Sequence, residues 1–184
     1  MEVMDAIRAR RSYRSLAPAE ACPGLADDLA MAASLAPSCF NRQPWRFVFA
    51  SGDALEGVFA SLSRGNEWFR AASMVAGVYT KRDLDCVAGR REYYLFDTGM
   101  AVGMMLLRAT ELGLVAHPIA GFDEEAASRA LRLPEDALLV TLIALGRRAD
   151  LISQVLSGHQ IEAERERPPR LPLDEIRTLL DSPA

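Results

Sequence analysis

Ala36-Pro37-Ser38-Cys39-Phe40-Asn41-Arg42-Gln43-Pro44-Trp45 lies between a small-residue run that reads as helix (residues 25–35) and an apolar run that reads as strand (residues 47–50). Pro37 ends the helix, because the residue before a proline is pushed out of the helical region. Pro44 blocks a restart, so the residues between the two prolines form a rigid, irregular connector. Its middle carries a hydroxyl, a thiol, two side-chain amides and a guanidinium. Donors and acceptors held in fixed directions suit a flat ligand with polar edges. The same residues also suit a plain turn in which Asn41 and Gln43 satisfy the local backbone. Both readings put a helix before the connector and a buried strand after it.

Working outward, Val3, Met4 and Ile7 give one apolar stripe, so residues 2–11 read as a short amphipathic helix. Arg8, Arg10, Arg11 and Arg14, with Ser12 among them, follow as the densest positive cluster. One or two arginines would complement the negative end of a helix dipole. Four within seven residues suit an anion, since guanidinium forks match phosphate. Residues 25, 29 and 32/33 should face inward from the second helix. Leu55, Val58, Phe59 and Leu62 recur at helical spacing, and Arg64-Gly65-Asn66-Glu67 breaks that helix. Residues 73–80 read as a central strand, 81–92 as a charged surface loop, and 93–113 as a long helix apolar nearly all round. Gly113 suits its C-cap. A strand at 114–119, a short helix opened by Asp123 and a buried strand at 138–146 complete the legible part. Beyond it, residues 151–156 suit a short helix, 162–167 a solvated mixed-charge run, 168–173 an extended proline-rich arm, and 174–180 a last helix.

Half of the 184 residues are hydrophobic, enough for a sizeable core in one domain spanning 1–184. A net charge of −4 argues against a nucleic-acid partner. The longest apolar stretch, residues 98–107, is far short of the roughly 20 needed to cross a bilayer, so no membrane is expected. The acidic start lacks an apolar signal core, which points to a cytoplasmic protein. Cys22, Cys39 and Cys86, odd in number and without metal spacing, read as reduced thiols. His117 and His159 are isolated, so no metal site is expected, and they read as structural or surface residues. No Gly-x-Gly-x-x-Gly and no phosphate-loop lysine is present. Ser38 lacks the setting of a catalytic nucleophile, and no side chain stands out as an acid, base or nucleophile.

The pattern Pro37-Ser38-x-x-Asn41-x-Gln43-Pro44-Trp45 resembles the signature loop of the nitroreductase family of FMN-dependent oxidoreductases. Arg10-Arg11-Ser12-x-Arg14 resembles the segment with which that family holds FMN. Asp97, Gly99, Ala101, Leu106 and Leu107 resemble its central helix, although Gly103 and Met104 stand where polar residues are often found. Pro118-Ile119-Ala120-Gly121-Phe122 is similar to its Pro-Ile-x-Gly-Phe turn, and Pro169-Arg170-x-Pro172-Leu173 to its C-terminal arm.

The resemblance implies roles for these residues. Arg10 and Ser12 would contact phosphate and ribityl oxygens, with Arg11 beside them and Arg14 nearer the pyrimidine edge of the ring. Asn66 would offer an amide to the polar edge, and the backbone N–H of Ala120, framed by Pro118, Ile119 and Gly121, would reach N5. Arg170 would reach the phosphate, with Arg147 in reserve. Pro37, Ser38 and Cys39 would come from the other subunit. The implied fold is α+β, a three-layer α/β/α arrangement around a mixed, mainly antiparallel sheet. It would form a domain-swapped homodimer, with an arm at about 147–184 wrapping the partner and Gly99 and Gly103 on the contact face. The implied activity is hydride transfer from NADH or NADPH through FMN to a planar acceptor such as a nitroaromatic or quinone. A flavin reductase, a reductive dehalogenase-like relative or a non-catalytic flavin-binding protein is the alternative.

Overall fold

The structure, a computed structural model, describes residues 1–19 and 23–180. Its elements are α1 (Val3–Ala9), β1 (Leu16–Ala17), α2 (Leu25–Ser34), β2 (Arg46–Ser51), α3 (Leu55–Ala60), β3 (Met74–Thr80), β4 (Val87–Ala88) and β5 (Arg91–Glu92). They continue with α4 (Tyr94–Glu111), β6 (Val115–Ile119), α5 (Glu124–Ala130), β7 (Leu138–Arg148), α6 (Gly158–Arg165) and α7 (Leu173–Ile176).

The apolar run at the end of the legible sequence becomes the spine. β7 pairs with β3, β6 and β1, and β2 pairs with the far side of β3. Every pairing among the described residues is antiparallel, so the expected antiparallel majority is present and no parallel pair joins it. Side chains alternate across a strand, and the burial follows that period. Val75, Leu142 and Ala144 enter one core with Leu55, Val58 and Phe59 of α3 and Ala127 of α5. Ala76, Ile143 and Leu145 enter a second core with Leu29 of α2 and Ala101 and Met105 of α4. Helices on both faces of one sheet are the three layers expected. A register shift between Val78 and Tyr79 turns Leu139 to the same face as Leu142. Gly77 permits the tight packing there, since a Cβ would stand 2.5 Å from Leu131 Cδ1.

Trp68 and Phe69 belong to the core. Among the described residues no helix is long and apolar enough to cross a membrane.

Five local expectations are corrected. Residues 81–92 are not a free loop: they hold the β4–β5 hairpin and the buried Asp85. Cys39 and Cys86 are not separate thiols but a disulfide, with Cα atoms 6.3 Å apart, so the connector is tied to the residue preceding β4; Cys22 lies outside the described residues. Residues 151–156 do not form a helix, and α7 is only four residues long. The helix comes later, as α6, because Ser157 and Gln160 form a reciprocal capping box at its start. The charged run expected to be solvated therefore lies partly in a helix, and its Glu164 is 3% exposed.

Candidate functional site

The chain leaves α1 at Arg10, whose backbone N–H still bonds Ala6. Residues 10–15 then run extended toward β1 and meet the inner side of α6. Glu164 accepts the N–H of Arg14 at 2.5 Å and that of Ser15 at 3.4 Å. Arg11 Nη2 donates to the carbonyls of Ala163 and Glu164 at 2.7 and 3.3 Å. Arg167 Nη2 donates to the carbonyls of Arg8 and Arg10 at 2.6 and 2.8 Å. These contacts join segments about 150 residues apart into one unit.

The unit holds a cavity of about 250 Å3 lined by Arg10, Arg11, Ser12, Arg14, Arg167 and Arg170, and by His159. Arg10 Nη1 donates to Ser12 Oγ at 3.1 Å. Burial, and then the charges of Arg167 and Arg170, hold the Arg10 guanidinium below its ordinary pKa. Five arginines sharing one cavity repel one another, and an anion relieves that repulsion. The cavity thus has the charge and the forked donors of a phosphate site. Arg11 and Arg167 are the least free of the five, because backbone carbonyls take the Nη2 of each. Arg167 was not singled out in the sequence, where it sits inside an apparent surface run.

The same helix carries the second half of the site. Gln160 Nε2 donates to the carbonyl of Gly65 at 2.9 Å, fixing the turn that presents Asn66. Asn66 Nδ2 in turn donates to the carbonyl of Gly121 at 2.8 Å. The Asn66 amide is therefore engaged with the 118–122 turn, leaving its Oδ1 as the remaining polar atom. Gly121 is required for that contact, since a Cβ there would overlap Asn66 Nδ2. The β6–β7 ladder ends with Ile119 opposite Leu142, one residue before the exposed Ala120. Thr141 Oγ1 donates to the carbonyl of Ile119 at 2.8 Å and anchors the turn from behind.

His117 joins the halves from below. It stacks on Trp68, with ring centroids 4.5 Å apart, and its Nδ1 lies 2.9 Å from the Tyr13 carbonyl. That distance fits the neutral tautomer protonated at Nδ1. Burial pushes the imidazole down to about 4, with the Tyr13 carbonyl opposing the shift. It is buried, the first of the two placements expected of it.

The structure brings Arg10, Arg11, Ser12, Arg14 and Arg170 together, and α6 links their cavity to Asn66 and to Pro118, Ile119, Ala120 and Gly121. Pro37, Ser38 and Cys39 stand apart: among the described residues no hydrogen bond or ion pair joins them to that group. Their loop is held from within. Ser38 Oγ accepts the N–H of Gln43 at 2.9 Å, and Gln43 Nε2 donates to Asn41 Oδ1 at 3.1 Å. Phe40, Asn41 and Gln43 all adopt positive φ, a strained set for side-chain-bearing residues. Arg147 is paired into β1 instead of the cavity.

The family model described as Nitroreductase family matches residues 7–81 and 60–147. A 15.4 kDa protein of Mycolicibacterium smegmatis with no assigned role is 32% identical over 67% of this chain and 84% of its own. A Thermus thermophilus protein named NADH dehydrogenase is 26% identical over 90% of this chain and 96% of its own. A Desulfovibrio desulfuricans protein, solved in complex with FMN and described as a candidate nitroreductase, is 27% identical. It covers 100% of this chain and 98% of its own, with a TM-score of 0.75.

Proposed function

The chain belongs to the nitroreductase family, and from that membership we propose that it binds FMN and transfers reducing equivalents from NADH or NADPH to a planar acceptor, such as a nitroaromatic or a quinone. The observation that carries this reading is the cavity of five arginines and Ser12, closed by α6 and linked to the 118–122 turn. The residues fit the cofactor: a phosphate monoester needs several forked donors, and here they converge from two segments about 150 residues apart.

When bound, FMN supplies the hydride chemistry, and the protein supplies position and electrostatics. Arg10 and Arg170 would hold the phosphate with Arg167 lining the same cavity, Ser12 would offer its hydroxyl beside Arg10, and Arg14 would lie nearer the pyrimidine edge of the ring. Asn66 fixes the Gly121 carbonyl, so the Ala120 N–H is presented by a turn that cannot slide. A backbone donor adds no titrating group, and no side chain is needed as an acid or base. Pro37, Ser38 and Cys39 complete the site from a second subunit, which agrees with their separation from the cavity within one chain. The arm beyond Pro168 exposes Leu171, Leu173, Ile176, Leu179 and Leu180, an apolar set suited to covering that partner.

The test is stopped-flow bleaching of the FMN-loaded protein by NADH and by NADPH, followed by reoxidation with a panel of acceptors under anaerobic conditions. Bleaching by at least one nicotinamide and reoxidation by a planar acceptor is the expected result. A flavin that stays oxidised under both nicotinamides makes the protein a passive flavin carrier. Because one pocket serves both half-reactions, initial-rate plots should also be parallel.

A further inference from the structure

Away from the arginine cavity, three elements bring sulfur and carboxylate together. Cys39 comes from the connector after α2, Asp85 and Cys86 from the segment before β4, and Asp97 from the first turn of α4. The Cys39 N–H donates to Asp97 Oδ2 at 2.7 Å, and the Cys86 N–H to Asp85 Oδ1 at 2.8 Å. Among the described residues Asp85 Oδ2 is buried without a donor, and the carboxyl group has an oxygen within 4.8 Å of both sulfurs. A passive cross-link gains nothing from a carboxyl whose second oxygen is desolvated and unsatisfied, a state that is costly in any protein interior. Both cysteines, by contrast, are only half-buried within one chain. We propose that Cys39 and Cys86 form a second redox site, a disulfide opened to two thiols by small dithiols, with the Asp85 carboxyl passing a proton to the departing sulfur.

The chemistry balances as follows. A thiolate of the dithiol attacks one cysteine sulfur, the protein S–S bond breaks, and a mixed disulfide forms. The other cysteine sulfur leaves with the bonding pair and takes the proton from Asp85. The second thiol of the reagent then gives its proton to the emptied Asp85 carboxylate and attacks its own bound sulfur. The second cysteine leaves with the bonding pair and takes from solvent the proton that the first thiol had lost. The dithiol ends as a cyclic disulfide, and the protein has gained two electrons and two protons. Either sulfur can be the one that leaves, because the carboxyl lies close to both.

The surroundings equip Asp85 to hold that proton. Burial raises its pKa first, and the facing Asp97 raises it further, while the Cys86 N–H and the Arg42 charge oppose the shift. Asp97 can pair with the lone Oδ2 only if one of the two carboxyls is protonated. The charged and titratable groups facing the site are therefore Asp97 and Arg42, besides the cysteines themselves. Opening the disulfide also releases the connector from the β4–β5 hairpin, leaving the Asp97 contact as its tie to α4.

The experiment uses the full-length protein without denaturant, treated with dithiothreitol and then with its oxidised cyclic form. Differential alkylation and peptide mass spectrometry follow Cys39 and Cys86 separately. The expected result is that both sulfurs open together in the native protein and close again under the oxidised reagent. At pH values where the native Asp85 holds its proton, Asp85→Asn should slow opening on the order of tenfold, a modest case of general acid catalysis. The native rate, corrected for the thiolate fraction of the reagent, should fall as pH rises and Asp85 loses its proton; in the Asp85→Asn variant the corrected rate should be flat. Opening only in denaturant, failure to reclose, or an unchanged rate and pH profile in Asp85→Asn would overturn the proposal. Should that variant not fold, a flat corrected profile in the native protein overturns it equally.

Discussion

Glu164 is 3% exposed, and its two carboxylate oxygens accept the N–H groups of Arg14 and Ser15. Hydrogen bonds to a charged acceptor contribute about 1.5–3 kcal/mol, and a buried one leaves unsatisfied donors when removed. Glu164→Ala should lower the unfolding free energy in urea by about 2–4 kcal/mol, because two donors are orphaned. Glu164→Gln, which keeps one acceptor oxygen, should lose less than Ala. His117 sets a second residue-scale expectation. Its folded pKa of about 4 lies below the ordinary 6.5, so the unfolded chain takes the proton first as pH falls. Stability from this group is full above pH 6.5, declines as pH drops toward 4, and is flat below. The loss is about 3 kcal/mol in total. Urea denaturation at stepped pH should show that component in the native protein and not in His117→Asn.

At the scale of elements, α6 decides whether the site exists. It holds the arginine segment through Glu164 and the Asn66 turn through Gln160. Ser157→Ala removes the Ser half of its capping box and should cost about 1 kcal/mol. Hydrogen exchange should then quicken first in residues 158–165 and in the 10–15 segment, before the sheet is affected. This helix also marks where the sequence stopped being readable. The signal was present, a Ser followed three residues later by Gln. No apolar stripe followed it, since only Glu164 of this helix is buried, and periodicity had nothing to detect. The arginine cluster and the 118–122 turn were legible because their chemistry is contiguous in the chain. The Cys39–Cys86 link was not, because 47 residues separate its ends and nothing local announces a pairing. Arg167 was hidden for the same reason: what it touches lies at Arg8 and Arg10.

At the scale of the whole molecule, assembly and cofactor should depend on each other. A Cβ added at Gly99 or Gly103 meets nothing within 4 Å, so that face of α4 is open in one chain. Gly99→Leu should therefore leave the fold intact but weaken a homodimer built on this face, and with it flavin retention. Light scattering and flavin absorbance on the same sample would check both. A native monomer that keeps one FMN per chain would contradict the proposed assembly. The most direct measurement of the account, however, is affinity for FMN against riboflavin, which differ only in the phosphate. The native protein should hold FMN far more tightly than riboflavin. Arg10→Ala and Arg167→Ala should each weaken FMN by on the order of 10- to 100-fold, the loss of one charge-assisted contact, while riboflavin changes little. Equal affinity for the two flavins in the native protein, or an equal loss for both in the variants, would mean that the arginine cavity is not the phosphate site.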